Sequence, residues 1–277
     1  MSVKEFGVGF REMFKVACIQ ICSNNDIKEN LDKVLTFVKQ SISNGAEFIL
    51  TPEVTSLFFS DKLDLLSKIS TMQEDIFVKE FKRICKESNK WILLGSLLIK
   101  QSKNSVVNRS ILINSSGEIE KFYDKIHMFD VILSEKEKYN ESTLTDPGKS
   151  IVLAKLPWGK LGMSICYDMR YPNMYRSMSK SGASFISIPS AFTFTTGQKH
   201  WHALLKARAI ENFSYIFAPA QCGVHFNGRK TFGHSLIISP DGEILNEIQN
   251  EEGVIISEID PNLSFELRKK IPSLNSD

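Results

Sequence analysis

The chain has 277 residues, 42% hydrophobic and 24% charged, the balance of a globular protein with a substantial core rather than a disordered one. Its 34 basic and 32 acidic residues leave a formal net charge of +2 with the two signs interspersed, which argues against a nucleic-acid or membrane-surface binder. No apolar run approaches the roughly 18–20 residues that span a bilayer, and the amino terminus lacks the pattern of a signal peptide, so a cytoplasmic protein is expected.

Residues 1–12 (MSVKEFGVGFRE) read as an amino-terminal extension and 13–277 as one domain. The run FKVACIQI (14–21) predicts a strand, and Leu31, Val34, Leu35, Val38 and Ile42 then share one helical face that Asn44-Gly45 terminates. A second strand, AEFILT, runs into Pro52 and Glu53, and a helix carrying Phe77, Phe81, Ile84 and Cys85 precedes the strand WILLGSLLI (91–99). This alternation is that of a layered α/β fold. VVNRSILIN and EIEKFYDK, joined by Ser115-Ser116-Gly117-Glu118, predict a hairpin, and SIVLAKLP with KLGMSIC predicts another around Trp158-Gly159. Strands ASFISIP, SYIFAPAQ, GHSLIIS and GVIISEI follow, with a helix over about 198–212 and a turn at Pro240-Asp241-Gly242. No linker, internal repeat or low-complexity segment divides the chain.

Five cysteines, Cys18, Cys22, Cys85, Cys166 and Cys222, are odd in number and scattered, which suits reduced thiols better than a disulfide framework. Cys166 ends an apolar strand just before a helix opened by Pro172, where a helix dipole lowers a thiol pKa; an arbitrary cysteine is more often a small core residue. Glu53 holds an equivalent place at the end of its strand, although most glutamates are solvated loop acids. Lys125 has apolar neighbours, Tyr123, Ile126, Met128 and Phe129, yet a lysine commonly buries only its stem.

Taken together, AEFILTPEVTS, EKFYDKIHMFD and SICYDMRYPNMYR resemble, in order and spacing, the three signature blocks of the nitrilase (carbon-nitrogen hydrolase) superfamily. AFTFTTGQKHWHALLKARAIEN and GRKTFGHSLIISPDGEIL are similar to blocks of its Nit-type amidase branch, so the resemblance runs from about Phe14 to Pro272. It implies an α/β four-layer αββα sandwich that assembles as a homodimer or higher homo-oligomer. It also implies a Glu53-Lys125-Cys166 triad that releases ammonia from the amide of a small carboxylic acid through a thioester, with no metal or organic cofactor. In that scheme Glu53 is the base, Cys166 the nucleophile, and Lys125 with the Tyr167 N–H binds the oxyanion. Glu141, in YNESTLTDPG, matches a further glutamate of the pattern and orients Lys125.

For substrate binding the candidates are Tyr167, Phe129, Arg170 and Thr196. Arg170, one helical turn beyond Cys166, would grip a carboxylate, or else pair with a neighbouring acid such as Asp168 or with a subunit across the dimer, and Thr196, in the loop FTFTTG, would add a hydroxyl. Nitrile-hydrolysing members usually carry Trp-Glu after the nucleophile, where Tyr167-Asp168 stands here, which favours amides. The pattern looks most like enzymes acting on ω-amides of 2-oxo acids or on deaminated glutathione, a metabolite-repair role.

Rival readings are weaker. None of His127, His200, His202, His225 and His234 lies in a papain-type block; His127 and His234 are expected to pack or hydrogen-bond near the site, and His200 and His202 point to different helix faces. DPGKS (146–150) lacks the earlier glycine of a phosphate loop, Thr143 standing in its place. A catalytically silent binding protein of the same fold would have no need to keep Glu53, Lys125 and Cys166 together.

Overall fold

The computed structural model describes residues 12–59, 61–103, 105–135 and 137–275, so positions 1–11 of the expected extension lie outside the described residues. β1 (Phe14–Gln20), α1 (Ile27–Ser43) and β2 (Phe48–Leu50) lead through α2 (Lys62–Lys68) and α3 (Ile76–Ser88) to β3 (Trp91–Lys100). Two hairpins follow, β4 (Val106–Ile113) with β5 (Ile119–Asp124), and β6 (Asp130–Ile132) with β7 (Lys138–Asn140). Next come β8 (Val152–Leu156), β9 (Gly159–Met163), α4 (Pro172–Lys180), β10 (Ala183–Ser187) and α5 (Phe194–Asn212). The chain ends through β11 (Tyr215–Ala218), the hairpin β12 (Cys222–Val224) and β13 (Lys230–Phe232), β14 (Ser235–Ile238), β15 (Ile244–Ile248), β16 (Gly253–Ile259) and α6 (Leu263–Lys270).

The first helix shows how local chemistry sets these limits. Asp26 caps α1 by accepting from the Lys28 and Glu29 amides, and the chain leaves the helix at Asn44 and at Gly45, whose φ of +85° favours glycine. Its buried face, Val34 and Val38, packs with Phe77 and Phe81 of α3 on Ala17, Ile19, Ile49, Ile92 and Leu94.

Strand pleat divides each strand between two layers. Phe14, Val16 and Cys18 of β1 and Phe48 and Leu50 of β2 face the opposite way from Ala17, Ile19 and Ile49, into the second sheet. Phe14 meets Phe185 edge-on with centroids 5.5 Å apart, and Phe48 meets Phe217 at 6.2 Å. Beyond the second sheet, Met174, Tyr175 and Met178 of α4 and Trp201, Leu205 and Ala209 of α5 close the same core. The result is the expected four-layer αββα sandwich.

The sheets run β16-β1-β2-β3-β4-β5 and β15-β14-β11-β10-β9-β8. In the first, β1, β2 and β3 are parallel, and β4 is antiparallel to both β3 and β5. In the second, β9, β10 and β11 are parallel. β5 therefore runs in the same direction as β2, and the residues after β2 and β5 emerge at one edge, the carboxyl end where α/β folds place ligand sites. At that edge Gly95 has no room for a side chain, because a Cβ there would lie 1.8 Å from the Thr51 carbonyl and 2.6 Å from Pro189 Cβ.

Several short elements carry no periodic signal in the sequence. The β6/β7 hairpin is largely exposed on both strands, α2 and α6 are eight residues or fewer, and the strands β12 and β13 are three residues each.

Candidate active site

Glu53 leaves β2 through Pro52 and is 4% exposed. Its backbone is pinned by Gln221, whose amide donates to the Glu53 carbonyl at 3.0 Å, and by Val54, whose N–H donates to Ser96 Oγ at 2.9 Å. Val54 has φ +49°, an unfavourable setting for a β-branched residue that the surrounding bonds enforce. Cys166 is comparable: after β9 it sits at φ +48°, 7% exposed, with its N–H donating to the Pro189 carbonyl at 3.0 Å.

Lys125 follows β5 and is 2% exposed, with its ammonium between two carboxylates. It donates to Glu53 Oε1 at 2.9 Å and to Glu141 Oε2 and Oε1 at 2.8 and 3.1 Å. Glu141 also accepts from the Phe129 N–H at 2.8 Å, and Glu53 Oε2 accepts from the Ala191 N–H at 2.7 Å. The Cys166 thiol opens on the same cavity as the Glu53 carboxylate, which acts on it electrostatically.

Electrostatics fix the resting protonation. Burial and then the Glu53 carboxylate push the Cys166 thiol well above its ordinary range, against the pull of Lys125. Burial also acts to raise Glu53, but the charge and hydrogen bond of Lys125, helped by Arg229, outweigh it and hold the carboxyl below its ordinary value. Burial acts to lower Lys125, yet Glu141 and Glu53 overcome it and the ammonium is retained. The set is a neutral thiol, a carboxylate and a cation. The expected lowering of the thiol by a helix dipole does not survive, because Cys166 opens a 3₁₀ helix of five residues, Cys166–Arg170, rather than α4, and burial dominates.

Asp168 ties the thiol-bearing turn to the Lys125 loop. Fully buried, it accepts at Oδ2 from Tyr123 Oη (2.7 Å) and the Ile165 N–H (2.9 Å), and at Oδ1 from the His127 N–H (3.1 Å), with His127 Nδ1 at 2.7 Å. His127 also stacks on Tyr171 with centroids 3.5 Å apart.

These groups open on a cavity of about 130 Å³ lined by, among others, Glu53, Lys125, Glu141, Cys166, Tyr167, Phe129 and Thr196. Phe129 packs against Tyr139 and Tyr167 at 5.0 and 5.2 Å to form an aromatic wall. The Tyr167 amide precedes the first intrahelical bond of the 3₁₀ turn, Asp168 N–H to the Ile165 carbonyl at 3.1 Å, as oxyanion donors at helix starts do. Thr196 is not in a loop: α5 begins at Phe194, four residues before the expected start, and Thr196 shares a 2.7 Å hydroxyl contact with Thr193.

Arg170 does not line the cavity. A 3₁₀ turn has about three residues per turn, so the fourth residue on is rotated off the face of the first rather than stacked above it. Its guanidinium lies behind the wall, 5.9 and 5.4 Å from the Tyr167 and Phe192 ring centres, with Nη2 3.2 Å from His200 Nδ1. Nor does it pair with Asp168, whose oxygens are taken by Tyr123, Ile165 and His127.

Among the cavity residues that sequence reasoning missed are Asn108 and Arg229. Asn108, on β4, donates from Nδ2 to Glu53 Oε1 at 3.0 Å and Glu141 Oε1 at 3.2 Å; a lone amide inside the apolar run VVNRSILI was the available signal. Arg229, in the β12/β13 hairpin, lines the cavity from far along the chain. Among the described residues, His202, His234 and Glu247 form the one group of donors close enough to hold an ion. It does not line this cavity, and Glu247 Oε1 already bridges the two rings at 2.9 and 2.6 Å.

A model of the carbon-nitrogen hydrolase family matches residues 15–269. The chain is 33% identical over 262 residues to a deaminated glutathione amidase of Yersinia enterocolitica, covering 94% of this chain and 91% of that protein. A deaminated glutathione amidase of Homo sapiens is 31% identical over 94% of this chain and 81% of its own length. Among solved structures, Nit3 of Saccharomyces cerevisiae, described as a member of branch 10 of the nitrilase superfamily, superposes with TM-score 0.85 at 26% identity, covering 95% of this chain and 96% of that one. The NitFhit protein of C. elegans superposes with TM-score 0.90 at 30% identity over 96% of this chain, which spans 65% of that longer one.

Proposed function

The chain belongs to the carbon-nitrogen hydrolase family, in the Nit-type amidase branch of the nitrilase superfamily, and is a hydrolase of carbon–nitrogen bonds other than peptide bonds; we propose that its substrate is deaminated glutathione or a related ω-amide of a 2-oxo acid. The observation that carries the mechanism is the ammonium of Lys125 held between Glu53 and Glu141 in one cavity with the buried Cys166, whose thiol is kept protonated by burial and the Glu53 carboxylate. Glu53 takes the Cys166 proton as sulfur attacks the amide carbon, and Lys125 with the Tyr167 N–H receives the oxyanion. Collapse of the tetrahedral species expels the amine, which takes the proton back from Glu53, and a thioester on Cys166 remains. Glu53 then activates a water that hydrolyses it.

An ω-amide loses ammonia in the first half-reaction. Deaminated glutathione, in which a keto oxygen replaces the glutamyl amino group, loses cysteinylglycine instead, so its assay must detect a released peptide amine. The names of the similar amidases support this substrate over a simple amide or nitrile. All five cysteines are free, in keeping with a reducing cytoplasm, and no described helix is long and apolar enough to cross a membrane. By family resemblance the functional unit is a homodimer, which sedimentation equilibrium tests.

The deciding experiment compares initial rates on deaminated glutathione, α-ketoglutaramate, asparagine, glutamine and a simple nitrile. Turnover of one of the first two in preference to the other three supports the assignment, and equal or absent turnover of those two refutes it.

A further inference from the structure

Four charged side chains line the cavity: Glu53, Glu141, Lys125 and Arg229. Lys125 is committed to both carboxylates, whereas Arg229 forms no ion pair among the described residues. Its Nη2 donates to the Ala191 carbonyl at 2.7 Å, and its Nε is buried without a hydrogen-bond partner. A buried donor left unpaired in this way is costly, and an arginine keeps its charge throughout the working pH range. The guanidinium lies over two rings, 5.1 Å from the centre of Tyr139 and 5.6 Å from that of Phe58, which sets its plane while its edge retains spare donors. The hairpin below is equally fixed: the Arg229 N–H donates to Asn227 Oδ1 at 3.1 Å, and its carbonyl accepts from the His225 N–H at 2.8 Å.

We propose that Arg229 is a carboxylate receptor of this cavity and determines its preference for acidic amides, an inference that rests on the amidase reading above. Without Arg229 the lining would carry two anions and one cation, and a carboxylate substrate would enter against net negative charge. With it the lining is neutral, and a planar fork stands beside Ala191, whose N–H holds Glu53 Oε2. The carboxylate comes from one of two places, the one beside the 2-oxo group or the terminal one of the departing peptide.

The test measures kcat and KM for wild type, Arg229→Gln and Arg229→Lys. Substrates are the monoamide of a five-carbon 2-oxo diacid, its carboxylate methyl ester, deaminated glutathione, and the same compound with its glycine carboxylate amidated. Arg229→Gln is expected to lower the preference for acid over blocked substrate by roughly 10- to 100-fold, mainly through KM, with Arg229→Lys recovering part of it. Loss of the acid-over-ester preference on the monoamide assigns the carboxylate beside the keto group. Loss confined to deaminated glutathione, abolished by amidation, assigns the peptide terminus. An equal fall on acidic and blocked substrates overturns the proposal, as does finding that Arg170→Gln removes the preference and Arg229→Gln does not. Calorimetric titration of 2-oxoglutarate separates this inference from the proposed activity. Binding that weakens at least tenfold in Arg229→Gln supports the receptor even if neither amide is turned over, and unchanged binding together with an unchanged preference overturns it.

Discussion

Replacing Glu141 with Gln keeps the shape of the side chain and removes its charge. All four contacts of Glu141 come from donors: Lys125 Nζ at 2.8 and 3.1 Å, the Phe129 N–H at 2.8 Å and Asn108 Nδ2 at 3.2 Å. A glutamine oxygen satisfies one side, but its amide nitrogen then confronts donors on the other. Removing one partner of a buried ion pair costs about 3–5 kcal/mol. Here Glu53 still holds the ammonium at 2.9 Å and the Glu141 side chain is 15% exposed, so the loss falls at or below the lower end, about 2–3 kcal/mol. At about 1.4 kcal/mol per tenfold, Glu141→Gln should reduce kcat/KM by roughly 30- to 150-fold. The loss should lie in kcat, because in the proposed mechanism the displaced ammonium serves the oxyanion rather than the bound ground state. Steady-state kinetics on the preferred amide decide it, with circular dichroism to verify folding. A kcat/KM within about threefold of wild type, or a fall entirely in KM, would show that Glu141 does not hold Lys125 for the oxyanion.

Asp168→Asn should act at a distance from the bond being broken: whichever way the amide lies, its nitrogen faces donors from Tyr123 and Ile165 or from His127, and denaturant unfolding should show a loss of about 2–4 kcal/mol. Wild-type stability in that variant would show that the turn is held otherwise. Burial pushes His225 down to about 4, against the pull of its bond to the Ser23 carbonyl. Its folded pKa therefore lies below the unfolded value of about 6.5, the unfolded chain binds the proton first, and its stabilising contribution, complete above pH 6.5, is lost as pH falls to 4. Urea unfolding across that window should show about 3 kcal/mol of pH dependence that His225→Gln removes, and an unchanged slope in the variant would contradict the assignment. Because the Cys166 thiol is raised and Glu53 lowered, kcat/KM should stay flat through the range where an ordinary thiol ionises; a rise with an apparent pKa near 8.5 would indicate attack by a preformed thiolate.

Legibility in the sequence followed periodicity and local blocks. The long buried strands and the amphipathic α1 and α3 were readable, because each repeats its apolar pattern over enough residues to set a period. The places of Glu53, Lys125 and Cys166 were readable because each ends a strand that the pattern delimits. What failed did so for geometric reasons. Arg170 was aimed with α-helical spacing, and the turn it occupies is 3₁₀. Arg229 reaches the cavity from a short hairpin whose position depends on how the second sheet packs on the first, which no local pattern encodes. Asn108 was legible only as an anomaly, since the two carboxylates it serves come from β2 and from the turn after β7.

The central claim, that Cys166 carries the acyl group of the substrate, is tested most directly by acid-quenching the enzyme during turnover of deaminated glutathione and locating the adduct by peptide mass spectrometry. A 2-oxoglutaryl group is expected on Cys166, cleared by hydroxylamine and absent from Cys166→Ala, which should be inactive. Turnover by Cys166→Ala, or an acyl group on any other residue, would contradict it.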